Sequence, residues 1–185
     1  GETYTDYSQG SVRQTGGTYD LALSGSGFFT VSVTDKAGEV HTRYTRDGRF
    51  HLTKDGLLVD ADGNAVQGQN GNITIDPSSK NVSISATGQI TADGELVDTL
   101  NIVDFEDYDY LKKYGDTMYE PVDGATTKDA EGEILQGYTE QSNVNVVREM
   151  VDMITITRAY EASQKVIHSY DSMLDKSVNQ VGALK

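Results

Sequence analysis

The sequence predicts a mainly β protein with an α element: a compact domain of short, largely antiparallel strands over residues 1–140, followed by one long C-terminal amphipathic helix within 141–185. Short apolar runs separated by turn residues dominate the first 140 residues, the pattern of hairpins and meanders. Asp-Gly pairs punctuate them at Asp47-Gly48, Asp55-Gly56, Asp62-Gly63, Asp93-Gly94 and Asp123-Gly124, each suited to the positive φ angles of tight turns. After Ser142 the pattern changes, and from Asn145 to Val181 there is neither Pro nor Gly.

Taken in order, Tyr19, Leu21 and Leu23 alternate with Asp20 and Ala22, and after the bend at Ser24–Gly27 the run Phe28, Phe29, Val31, Val33 predicts the partner strand. Asp-Gly turns within 47–63 imply very short strands at 43–44, 50–52, 57–59 and 65–67, part of a meander spanning 19–75 that ends with a strand at 73–75. Further strands are expected between 82 and 138: at 82–84, at 96–105, and at 134–138, where the chain returns to the sheet. The acidic-aromatic stretch from Asp104 to Tyr114 reads as a loop or a single helical turn.

The predicted helix starts at an Asn143 or Asn145 cap, has Glu149 and Asp152 near its positive end and stops at Gly182. Its length is roughly 54 Å at about 1.5 Å per residue. A seven-residue repeat places Val146, Met153, Tyr160, Ile167, Leu174 and Val181 at one recurring apolar position. The second seam position reads Met150, Thr157, Gln164, Asp171 and Val178, polar in its middle, so an isolated two-stranded coiled coil is poorly specified. Periodicity leaves two readings open: the stripe covers the chain's own β core, or it packs against other helices.

Composition narrows the function. The formal net charge is −14, and it is lopsided: the first 140 residues hold 10 Lys/Arg against 24 Asp/Glu, the last 45 hold 5 against 5. So acidic a head repels phosphate backbones and anionic lipid, which argues against nucleic acid and membrane surfaces as partners. No apolar run approaches the roughly 18 residues of a membrane span. The chain has no cysteine, which excludes disulfides, thiol catalysis and thiolate metal sites.

A search for catalytic, cofactor or metal chemistry ends in bland readings. His41, His51 and His168 are far apart in sequence and none forms a helical i, i+4 pair with another ligand, so no metal site or triad is expected. Gly25-Ser26-Gly27 lacks the remainder of a phosphate loop and reads as a tight strand connection. Asp60–Asn64 lacks the later ligands of a calcium loop and reads as a hairpin turn. Asp104, Glu106, Asp107 and Asp109 offer paired carboxylates of the glycosidase kind, but the expected fate of such a run is solvated surface, with Phe105, Tyr108 and Tyr110 on its buried side. The expectation is a protein without catalytic activity and without a cofactor.

Specific residues then point further. The segment SNVNVVREMVDMI, Ser142 to Ile154, followed by RAYEASQKVI, Arg158 to Ile167, resembles the C-terminal signature of the flagellar axial family of rod, hook and hook-associated subunits. The motif residues are Ser142, Asn143, Val144, Asn145, Arg158, Tyr160 and Glu161. QGSVRQTGGTYDLALSGSGFFTV at Gln9 to Val31, YTRDGRF at Tyr44 to Phe50 and the turn at Gly56 to Gly63 resemble the start of that family's β domain. The resemblance implies a structural subunit of the rod, distal in preference to proximal or hook. It implies polymerisation with copies of itself and neighbouring rod and hook subunits, inside surrounding ring proteins. It also implies unfolded export through the flagellar secretion apparatus to the space outside the cytoplasmic membrane. It further implies a helical segment before Gly1, expected to be lacking here, as partner for the C-terminal helix. The alternative reading is an unrelated β-rich binding module that dimerises through its helix.

Overall fold

A computed structural model describes residues 11–141, all within one compact unit. The strands are β1 (Val12–Gln14), β2 (Leu21–Ser24), β3 (Phe28–Thr34), β4 (Val40–Thr45), β5 (His51–Leu52), β6 (Leu58–Val59), β7 (Ala65–Gly68), β8 (Gly71–Asn72) and β9 (Val82–Ile84). They continue with β10 (Gln89–Ala92), β11 (Glu95–Thr99), β12 (Ile102–Phe105), β13 (Leu111–Tyr114), β14 (Met118–Pro121), β15 (Thr127–Asp129), β16 (Glu133–Gln136) and β17 (Tyr138–Glu140). The expected class, mainly β with a long helix, is corrected by this: among the described residues the fold is all β, and its helical element is one 3-10 turn, Tyr108–Tyr110. The helix expected over 145–181, with its seam residues and the family motif, lies outside the described residues.

The centre of the fold is β3. It pairs with β4 along one edge, from Phe29↔Thr45 to Thr34↔Val40, and shares its other edge between β12 and β7. Around it grows a ten-stranded antiparallel sheet, ordered β13-β14-β4-β3-β7-β6-β5 with β12, β15 and β8 attached at the side. Smaller sheets pair β9, β10 and β11, β2 with β16, and β1 with β17. Successive side chains on a strand face opposite ways, so the Phe28-Phe29 pair feeds two cores at once. Phe29 joins Leu21, Leu23, Val31, Phe50 and Ile75 in the larger core, while Phe28 packs edge-to-face on Phe105, Tyr108 and Tyr119 in the smaller one. Both rings are fully buried, which needs cover on both faces of β3.

Several expected strands are divided, each for a local reason. The strand expected at 96–105 breaks at Leu100 and Asn101: the Leu100 N–H donates to Gly88 O, and Asn101 O accepts from the Thr30 hydroxyl, so the chain leaves the three-stranded sheet for the large one. The strand expected at 134–138 breaks at Gly137, which gives its N–H to Asp20 O and takes N–H groups from Thr15 and Gly16 on its own carbonyl. Residues 73–75 form no strand of their own, yet Ile73 and Ile75 are buried and Thr74 bridges Leu57. Much of the stretch read as a loop, 104–114, is ordered into the end of β12, the 3-10 turn and β13. Tyr19 and Asp20 precede β2 and do not belong to it, and Leu21, Ala22 and Leu23 are all fully buried where alternation was expected.

Candidate functional site

The most heavily built polar site lies where the described chain begins and ends. β1 pairs with β17 through Val12↔Glu140, Arg13↔Thr139 and Gln14↔Tyr138, and the Gln141 N–H continues the ladder to Ser11 O at 3.0 Å. Residues before Ser11 and after Gln141 therefore attach at one point on the domain. That point is locked from inside by Arg46, in the middle of the YTRDGRF segment, which is buried at 3% exposure with an ion-pair partner, Glu140, whose side chain is fully buried.

Arg46 uses its whole guanidinium fork. Nε donates to Glu140 Oε1 at 3.0 Å and Nη2 to Glu140 Oε2 at 2.7 Å, the bidentate arrangement that carboxylate and guanidinium planes favour. Nη1 donates to the carbonyls of Gly25 and Gly27 at 2.7 and 2.8 Å, and Nη2 also to Leu23 O at 3.1 Å. Five donors thus find five acceptors, which is what keeps a buried arginine tolerable. The tight Gly25-Ser26-Gly27 connection is the carbonyl half of this cage and not a phosphate loop. Beside Arg46, burial pushes the Tyr44 hydroxyl above its ordinary pKa, and its ring stands edge-on to Phe105 at 5.1 Å.

The other residues that the sequence singled out fare differently. Asp104 is not solvated surface: it is 2% exposed and its Oδ1 accepts from the Phe105 N–H and the Tyr108 hydroxyl, both at 2.8 Å, so it braces the 3-10 turn. Glu106, Asp107 and Asp109 are exposed as expected, the first two beside a cavity of about 380 Å³ that Lys128 also lines. Asp60 closes its hairpin turn by accepting from the N–H groups of Asp62 and Asn64, each at 2.9 Å. His51 lies exposed in β5, His41 sits in β4 beside two carboxylates, and His168 is outside the described residues. The assembly residues Val146, Met150, Met153, Tyr160, Ile167, Leu174 and Val181 and the motif residues Ser142, Asn143, Val144, Asn145, Arg158 and Glu161 are outside them too. Among the described residues, no helix is long and apolar enough to cross a membrane.

Sequence reasoning did not find the Arg46–Glu140 clamp. Arg46 sits between two polar neighbours, Thr45 and Asp47, and nothing in the spacing of 94 residues names Glu140 as its partner. What fold and site define is a β domain whose described ends, residues 11 and 141, lie side by side, with a buried and fully paired ion pair joined to the last strand.

Comparison with known proteins gives the family. Residues 22–92 match the family described as flagellar hook protein FlgE/F/G D1 domain, and residues 135–181 match the flagellar basal body rod FlgEFG protein C-terminal family. The flagellar basal-body rod protein FlgG of Buchnera aphidicola subsp. Schizaphis graminum is 36% identical over 183 residues, covering 92% of this chain and 68% of that one. FlgF of Caulobacter vibrioides is 34% identical over 181 residues, covering 97% and 72%, and FlgG of Bacillus subtilis is 32% identical over 194 residues, covering 95% and 70%. The chain belongs to the family of flagellar basal-body rod proteins.

Proposed function

We propose that the chain is a structural subunit of the flagellar rod whose work is assembly with other rod and hook subunits, without catalysis. The observation that carries this is the likeness to FlgG and FlgF proteins along almost the whole chain, at 36% and 34% identity. Because the two relatives match so evenly, the reading is of a rod subunit and not of one position along the rod. The finer reading places the protein outside the cytoplasmic membrane after export by the flagellar secretion apparatus, with the acidic β domain toward the surrounding rings. It assigns the subunit contacts to the apolar positions Val146, Met150, Met153, Tyr160, Ile167, Leu174 and Val181; the support is their spacing and the family match over 135–181. The motif residues Ser142, Asn143, Val144, Asn145, Arg158, Tyr160 and Glu161 fall in the same stretch.

Deletion of the gene with complementation tests the reading. A deletion strain should lose swimming and hooks and recover both with the native gene, and a Val146→Asp, Met153→Asp variant should be made yet fail to complement. A deletion strain that swims normally with complete hooks would overturn the rod assignment, and full complementation by the double variant would overturn the contact residues alone.

A further inference from the structure

At the far end of β3 and β4 the tip Asp35–Glu39 gathers three potential metal donors. The Asp35 N–H donates to Glu39 O and the Gly38 N–H to Asp35 O, closing the turn. Asp35 Oδ1 accepts from the N–H groups of Ala37 and Glu39 at 2.9 and 2.8 Å. That oxygen is held by the turn, so Oδ2 is fixed facing His41, with Nε2 at 2.8 Å. The register Val33↔His41 continues to Asp35 opposite Glu39, and by strand alternation all three side chains rise from one face of the hairpin.

We propose that this tip is a divalent-cation site in which Asp35, Glu39 and His41 each give one donor atom to a borderline ion of the Zn²⁺ or Ni²⁺ type. The three donor atoms lie within 4.8 Å of one another, with Glu39 Oε1 at 3.9 Å and Asp35 Oδ2 at 2.8 Å from the same imidazole nitrogen. Ligands bound about 2.0–2.2 Å from a zinc ion stand roughly 3–4 Å apart; the Glu39 oxygen already lies in that range from the imidazole nitrogen at 3.9 Å, and an ion has only to spread the Asp35–His41 pair from its present 2.8 Å. The Asp35–His41 ion pair uses one carboxylate and Glu39 sets a second 3.9 Å from the same nitrogen, so a cation that takes the place of the shared proton meets both carboxylates at once. One imidazole with two carboxylates selects borderline transition ions, whereas Ca²⁺ and Mg²⁺ prefer all-oxygen shells. Lys36 is the opposing charge in the tip, set against the 24 Asp/Glu and 10 Lys/Arg of the first 140 residues, a field that concentrates cations. The donors are partly exposed, Glu39 most at 74%, so water completes the shell and exchange is fast.

Titrating the full chain with Zn²⁺, by calorimetry and by NMR of the histidine rings, tests the site. One ion should bind per chain and move the His41 resonances. His41→Gln should weaken binding by about tenfold or more and Glu39→Gln less, while His51→Gln and His168→Gln leave it unchanged. NMR shifts on His41 of the unaltered chain keep the test valid even where a variant folds poorly. No saturable binding, binding that survives His41→Gln, or shifts confined to His51 or His168 would each overturn the proposal and leave the trio an ordinary Asp-His ion pair.

Discussion

Two arginines of the YTRDGRF segment, three residues apart, show how differently one charge can be used in this fold. Arg46 is buried against β17 and meets five acceptors across three segments, with Glu140 94 residues away. Arg49 lies on the surface with its side chain 66% exposed and pairs bidentately with Asp47, two residues back, at 2.9 and 2.7 Å. In distance the two pairs are nearly alike. They differ in what surrounds them: solvent screens Arg49 and could replace Asp47, whereas nothing can replace Glu140 inside the protein. The lesson is that bond length says little here and burial says almost everything.

The sharpest way to test that contrast is to remove one partner. Glu140→Ala should destabilise the domain by about 3–5 kcal/mol in urea unfolding, because it strands a buried guanidinium. The double variant Arg46→Met, Glu140→Leu sharpens this: with a simple ion pair, replacing both partners by apolar groups would recover most of the loss. Here it should not, since the carbonyls of Leu23, Gly25 and Gly27 lose their donor as well, at about 1–3 kcal/mol for each buried acceptor left unpaired. A double variant near native stability would reduce the cage to a plain pair.

Next in size is a backbone effect. Gly56 has φ +88°, and a Cβ there would overlap the carbonyl oxygen of Ile75, which belongs to the backbone and cannot swing away. Gly56→Ala should therefore cost about 1–3 kcal/mol from the left-handed conformation, with the overlap adding to it. Gly63→Ala is the control, with a similar φ of +87° and open space around it, and should cost less. Equal losses at the two sites would show that conformation and not close approach is what matters at Gly56.

These glycines also show what was legible in the sequence. Of the five Asp-Gly pairs read as tight turns, Gly56, Gly63, Gly94 and Gly124 have positive φ. Gly48 does not; its Cβ would run into the Leu21 carbonyl, so it is glycine for space, which only the folded chain reveals. The β6–β7 hairpin, closed by Asp62-Gly63, was readable because turn and pairing are local, whereas at Asp93-Gly94 the turn and the strand after it were read but β10 before it was not. The β13–β14 hairpin was not, since its turn runs Gly115-Asp116, with positive φ at Gly115 and an acidic-aromatic lead-in that reads as loop. β1 pairing β17 and Arg46 meeting Glu140 were invisible for the same physical reason: long-range partners are chosen by the tertiary fold, and spacing along the chain carries no record of them. The tip trio Asp35, Glu39 and His41 escaped because a strand-turn-strand places i, i+4 and i+6 together, a spacing that a search for helical ligand pairs passes over.

At the weak end of the comparison, Arg49→Ala should change stability by no more than about 1 kcal/mol, with any loss fading as salt is added. A cost matching that of Glu140→Ala would erase the distinction between the two pairs.

Smaller still is the pH response of Asp76, an exposed carboxylate held by local hydrogen bonds. The Ser78 N–H donates to its Oδ1 at 2.9 Å and the Ser78 hydroxyl at 2.8 Å, and these two bonds, the backbone one first, hold its pKa below the ordinary 3.8. A carboxylate depressed in the folded state contributes stability that is fully present above its unfolded pKa and is lost as pH falls through the lower folded value. Carboxyl NMR should find Asp76 titrating below 3.8, and Ser78→Ala should raise the midpoint part of the way back, since the backbone donor remains. A midpoint that ignores the substitution would mean that the hydroxyl bond contributes nothing. One that returns fully to the ordinary value would mean that the backbone bond depends on the hydroxyl to form. The same reasoning separates Asp76 from Glu140: exposed acceptors can be titrated one bond at a time, while a buried one fails together with everything it holds in place.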